Sequence, residues 1–178
     1  MSLNLQELRN HGFTDEAAAI ESGLHVPSNI LKSLKNGDYE HATELKFSRI
    51  ADICADEFKE QLLFDLDYNP NLKHEELTDL SELLQAYEGV SFFDAAEELV
   101  ATVSEDDTPR FEKLVCEKTA VKFAEELAEQ AARKFRNAET SHAVIEGLRG
   151  EVSDPKRVER IDQALDRARL STPAPGGP

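Results

Sequence analysis

Residues Thr108–Phe135 read TPRFEKLVCEKTAVKFAEELAEQAARKF, and their apolar positions decide the fold class. Phe111, Leu114, Val115, Val121, Ala124, Leu127, Ala128, Ala131 and Phe135 recur at three- and four-residue intervals, the spacing that lines side chains along one face of an α-helix. Pro109 falls in the first turn, where a helix has no use for the missing N–H. The pattern predicts a helix to about Asn137, with Phe135 inside its buried stripe and alanines that suit close packing against a neighbour.

The same periodicity extends in both directions. Toward the N-terminus it predicts helices over Leu5–Asn10, Thr14–Ser22 and Ser28–Lys35, and from Ala42 to about Leu66, with breaks at Gly12, Gly23, Pro27 and Gly37. Asn69-Pro70 should stop the fourth helix. A fifth is predicted over Glu75–Tyr87, with Leu77, Leu80, Leu83 and Leu84 on one face. Ser91 and Asp94 form a capping box ahead of Phe92, Phe93, Ala96, Leu99 and Val100. Beyond the long helix, shorter ones are expected over Ser141–Leu148 and from Asp154-Pro155 onward, the last burying Val158, Ile161, Leu165 and Ala168. No segment sustains the strict alternation of a half-buried strand. The expected fold is all-α: a small helical module over residues 1–66, an acidic helical bundle over 67–170 and a Pro- and Gly-rich disordered tail over 171–178.

Charge narrows the partners. The chain carries a formal net charge of −16, which repels nucleic acid and anionic membranes at long range. Residues 1–64 hold 11 acidic and 6 basic side chains, residues 65–107 hold 13 and 1, and residues 108–178 hold 12 and 13. The acidity therefore belongs to one middle segment, and any nucleic-acid contact must be local. Cys54 and Cys116 lie in apolar helical positions without a CxxC pairing, which fits a reducing compartment. No stretch approaches the ~20 apolar residues of a membrane span, and no basic leader precedes an apolar run. A cytoplasmic protein without membrane association is expected.

Chemistry-bearing constellations are sparse. His11, His25, His41, His74 and His142 are scattered, and His74-Glu75-Glu76 lacks the second histidine of a zinc helix. Glu40, His41 and Glu44 share a helical turn, as acidic helices commonly produce. The carboxylate pairs Glu97-Glu98, Glu125-Glu126 and Asp106-Asp107 read as solvated helix faces. No phosphate-binding glycine loop or nucleophile elbow is present. The expectation is no enzyme activity, no cofactor and no metal.

The informative stretch is Gly12-Phe13-Thr14-Asp15-Glu16-Ala17-Ala18-Ala19-Ile20-Glu21-Ser22-Gly23-Leu24. Thr14 can cap a helix, Ala19 is small where two helices cross, and Gly23 accepts a turn conformation that side chains disfavour. It resembles the second helix and turn of the lambda-repressor-like (Cro/XRE-type) helix-turn-helix family. The likeness runs on through Ser28–Gly37, with Leu31 and Leu34 as anchors of a recognition helix, and through Leu45 and Ile50-Ala51 to Ile53. It covers about Leu5–Ile53, under a third of the chain.

The resemblance implies that Ser28, Asn29 and Ser33 face base edges in a major groove while Lys32 and Lys35 lie near phosphates, with Arg9 and Lys46 adding backbone contacts. Asparagine can pair in bidentate fashion with adenine, serine can bond several base edges and lysine neutralises phosphate. The function so implied is a sequence-specific transcriptional regulator of double-stranded DNA, acting as a homodimer. An alternative of another class is an acidic interaction module or DNA-mimicking inhibitor that docks on a basic protein surface through Phe92, Phe93, Glu97, Glu98, Asp106 and Asp107. A pocket between the long helices for a small ligand is a third possibility.

Overall fold

The computed structural model describes residues 3–69, 74–87 and 105–170. Among them are eight α-helices and no strand: α1 Leu5–Asn10, α2 Thr14–Glu21, α3 Ser28–Lys35, α4 Tyr39–Tyr68, α5 Leu80–Tyr87, α6 Thr108–Ala132, α7 Ala138–Arg149 and α8 Pro155–Leu170. One-turn 3-10 helices occupy His74–Leu77 and Glu105–Asp107. The all-α expectation holds. The chain divides into two compact units, Met1–Arg49 and Ile50–Pro178. The division falls inside α4, whereas the sequence placed a boundary near its end, at residue 66.

In the first unit, the helices end on glycines for one shared reason. The last carbonyls of a helix lack intrahelical donors, and a residue in the left-handed region turns the chain back to supply them. Gly12, Gly23 and Gly37 have φ of +88°, +69° and +71°. After each, the next N–H bonds back five residues: Phe13 to Leu8 at 2.9 Å, Leu24 to Ala19 at 2.7 Å and Asp38 to Ser33 at 2.9 Å. Asp38 then caps α4, its carboxylate accepting from the His41 N–H at 3.1 Å. That junction starts α4 at Tyr39, three residues ahead of the expected Ala42.

Leu8, Phe13, Ala17, Val26, Ile30, Leu34 and Ala42 form the core of this unit, with Leu31, Tyr39 and Leu45 packed against it. Ile30 and Leu34 are the deep anchors of α3, and Leu31, expected in that role, is only half-buried. His11 stacks on Tyr39 with ring centroids 3.7 Å apart and planes 7° from parallel.

In the second unit, the order of ion pairs sets helix direction. Asp52 meets Lys118 at 2.9 Å, Asp56 meets Lys122 at 3.0 Å and Asp67 meets Arg136 at 2.6 Å. The numbers rise together, so this part of α4 runs parallel to α6. Glu125 pairs with Arg160 and Glu129 with Arg167, which sets α8 parallel to α6 as well. α7, which links them in sequence, packs against both, and Arg149 bonds Asp162 at 2.6 Å across α7 and α8. Phe58, Leu62, Phe123, Leu127, Ile145, Leu148 and Ile161 are fully buried.

Three boundaries differ from expectation. Asp79 interrupts the predicted Glu75–Tyr87 helix by capping α5, accepting from the Glu82 N–H at 3.1 Å. α6 stops at Ala132 because Lys134 adopts φ +63° and Phe135 N–H bonds back to Gln130 at 2.9 Å. Phe135 consequently leaves the buried stripe and is 78% exposed. Asn137 starts α7 three residues early by accepting from the Thr140 N–H at 3.1 Å.

Candidate nucleic-acid interface

The eight residues of α3 sort cleanly by face. Ile30, Ser33 and Leu34 are buried, whereas Ser28, Asn29, Lys32 and Lys35 are exposed. Positions three, four and seven residues apart share a helical side, so Lys32 lies beside Ser28, Asn29 and Lys35 and the four exposed residues fall on one outward arc. No acidic residue lies in the helix. Lys32 and Lys35 make no ion pair among the described residues.

Ser33 corrects the expectation of a base-facing group. It is 7% exposed, because it lies three residues after Ile30 and next to Leu34, on the core side of the helix. Arg9 and Lys46 are committed inside the unit. Arg9 pairs with Glu21 at 2.8 Å. Lys46 pairs with Glu16 at 3.0 Å, the two side chains only 17% and 11% exposed, and its ammonium sits 5.7 Å from the centroid of the Phe13 ring. Neither cation is free to neutralise phosphate without giving up a carboxylate partner, a cost that is larger for the shielded pair.

The loop between α2 and α3 has its own anchor. Val26 is 7% exposed and fixes the segment that leads through Pro27 into α3. Pro27 offers no side-chain oxygen to the unpartnered N–H groups of the first turn. Asn29 fills part of that need, its Oδ1 accepting from the Ile30 N–H at 2.9 Å.

Of the residues expected to bind a protein partner, Phe92, Phe93, Glu97 and Glu98 lie outside the described residues. Asp106 is exposed, and Asp107 is half-exposed with Arg110 at 3.7 Å. Among the described residues, no group of three or more His, Cys, Asp or Glu side chains is gathered to hold a metal. No described helix is long and apolar enough to cross a membrane.

Two features escaped the sequence reading. Glu117, on α6, is 5% exposed and meets the head of α8, 36 and 37 residues further on, a contact no local signal announces. Phe64 and Tyr68, on α4, are 55% and 72% exposed and lie with ring centroids 4.6 Å apart. Their four-residue spacing places them together, but only the fold leaves that side uncovered. No family model, curated protein or solved structure matches this chain.

Proposed function

We propose that the first unit is a helix-turn-helix module of the lambda-repressor type and that the chain is a sequence-specific, DNA-binding transcriptional regulator of the cytoplasm. The observation that carries this reading is the outward stripe of α3: a hydroxyl, an amide and two ammonium groups that meet no carboxylate among the described residues, with no acidic residue in the helix. Side chains of these types bond base edges and neutralise phosphates. One such helix spans only a few base pairs, so the reading includes a two-fold dimer on a near-palindromic operator.

The test is retention of duplex DNA at low salt. The intact chain should shift a fluorescent duplex, and the double variant Lys32→Ala/Lys35→Ala, checked for unchanged helicity, should lose at least tenfold in affinity. Failure of the intact chain to bind at low ionic strength eliminates the reading.

A second reading takes the other unit as an acidic interaction surface. The exposed Phe64–Tyr68 pair, beside Asp65 and Asp67, favours it, since aromatic groups ringed by charge are typical of association surfaces. Sedimentation of a Phe64→Ser/Tyr68→Ser variant separates the cases. A dimer that falls to monomer assigns the pair to self-association; an intact dimer assigns that contact elsewhere.

A further inference from the structure

Among the described residues, the large apolar side chains that stand in water are Leu24, Phe64, Tyr68, Phe135 and Leu170. All but Leu24 belong to one end of the second unit. Its ion pairs set α4, α6 and α8 parallel, so these helices finish on the same side. Arg167 on α8 meets Glu129 on α6, and three residues beyond that pair α6 ends at Ala132 and α8 at Leu170. Both helices rise by the same step per residue, so their ends are level. On the α4 side, Arg136 and Asp67 bond at 2.6 Å, which brings their chain neighbours Phe135 and Tyr68 to this end as well. Phe64 lies against Tyr68, with ring centroids 4.6 Å apart.

Phe135 and Leu170 are the most exposed of the set, at 78% and 84%. The three aromatic side chains alone leave on the order of 400 Å² in water. An apolar patch of that size with a polar rim is characteristic of an association site. It amounts to about half of what one partner contributes to a standard interface, and the rim can supply the rest.

Charge identifies the occupant. Residues 61–69, 129–136 and 164–170, which make up this end, hold five basic and four acidic side chains, in a chain whose formal net charge is −16. Every arginine here is already met by a carboxylate of the same end: Arg133 by Glu129 at 2.6 Å, Arg136 by Asp67, Arg167 by Glu129 at 2.5 Å and Arg169 by Asp166 at 2.8 Å. A strongly acidic or basic partner finds little unbalanced charge to pair with, and the rest of the molecule repels an anionic membrane. Two copies of so acidic a chain repel at long range, but at this end the local charge is near zero and the exposed apolar area is concentrated. A two-fold contact sets such a patch against itself, so apolar surface meets apolar surface and each mixed rim meets a mixed rim.

We infer, resting on the association reading of the second unit above, that the C-terminal ends of α4, α6 and α8 form a two-fold contact with a second copy of the chain, and that Phe135 and Leu170 belong to it with Phe64 and Tyr68.

The experiment is sedimentation equilibrium of the full chain, joined to crosslinking through single introduced thiols. The native chain should be a dimer, and Phe135→Ser/Leu170→Ser, whose exposed positions leave helicity unchanged, should weaken it about tenfold or more. Cys54 and Cys116 are buried, so the thiol introduced by Phe135→Cys or Leu170→Cys is the accessible one. At least one of these two variants should join to its own copy through a short bifunctional maleimide. Lys156→Cys, exposed at the other end of α8, should not. A native dimer that Phe135→Ser/Leu170→Ser does not weaken, crosslinking at neither position, or Lys156→Cys joining as fast as both, overturns this contact while leaving self-association standing. A native chain that is monomeric at every concentration overturns self-association itself.

Discussion

The Glu117 carboxylate, buried on α6, accepts the backbone N–H of Asp154 at 3.2 Å, immediately before α8 begins. The same side chain accepts from the Ser153 N–H and hydroxyl, both at 3.3 Å, and lies 3.6 Å from the Arg157 guanidinium. A negative charge at a helix N-terminus is favourable, and hydrogen bonds to an ionised group are stronger than neutral ones. Glu117 thus holds the α7–α8 connection against α6.

Replacing Glu117 with alanine leaves two backbone N–H groups without their acceptor and removes a charge-assisted contact. The expected loss is about 2–4 kcal/mol, read as a lower urea midpoint of the second unit. Glu117→Gln keeps one acceptor oxygen and should lose about half as much. A midpoint unchanged by Glu117→Ala contradicts the assigned role.

Lys134 occupies the left-handed position that closes α6, at φ +63°. A side chain there is strained, and glycine is not. Relief of roughly 1–2 kcal/mol of left-handed strain, offset by about 0.4–1 kcal/mol for glycine's greater freedom in the unfolded chain, means Lys134→Gly should stabilise the protein by about 0.5–1 kcal/mol, visible as a higher thermal midpoint. Lys134→Ala, which retains the Cβ, should gain nothing comparable.

These two residues show where the sequence was legible. Apolar periodicity located the helices, and the glycines at 12, 23 and 37 announced the turns of the first unit. Lys134 carries no such signal, so α6 was read about five residues too long and Phe135 was assigned to the core. In the candidate interface, Ser28, Asn29, Ser33, Lys32 and Lys35 came from the resemblance to the helix-turn-helix family. The burial of Ser33 was implicit in helical spacing, three residues after Ile30 and beside Leu34. The partners of Arg9 and Lys46 were not legible: Glu21 lies 12 residues away and Glu16 lies 30 away. Such pairings are set by tertiary packing.

Acid response should divide between two carboxyl groups whose pKa values shift in opposite directions. A hydrogen bond from Arg149 lowers the Asp162 pKa below its ordinary value of 3.8, so its contribution is present above that pH and is lost as pH falls through the depressed folded value. Burial, then Asp79, raises Glu151 above 4.5. The fold therefore holds the Glu151 proton more tightly than the unfolded chain does, and stability is lost as pH rises through that region. Glu151→Gln should raise the thermal midpoint at pH 7 and leave it unchanged near pH 3. An equal shift at both values contradicts the assignment.

The two thiols should be inert in the folded protein. Burial, then Glu57, pushes Cys54 up to about 12, and burial, then Glu151, does the same to Cys116. Since the thiolate is the reactive form, a disulfide reagent at pH 8 should label neither cysteine in the native state and both in guanidinium. Rapid labelling of the native protein contradicts the burial described.

On the proposed DNA-binding function, Lys32, exposed on α3 with no ion pair among the described residues, offers its ammonium to phosphate. Duplex affinity measured across a series of salt concentrations tests it most directly. The account predicts a linear fall of log affinity with log salt, and a slope shallower by about 0.9, one phosphate equivalent, in Lys32→Ala. Identical slopes for the two proteins, or no duplex binding even at the lowest salt, contradict it.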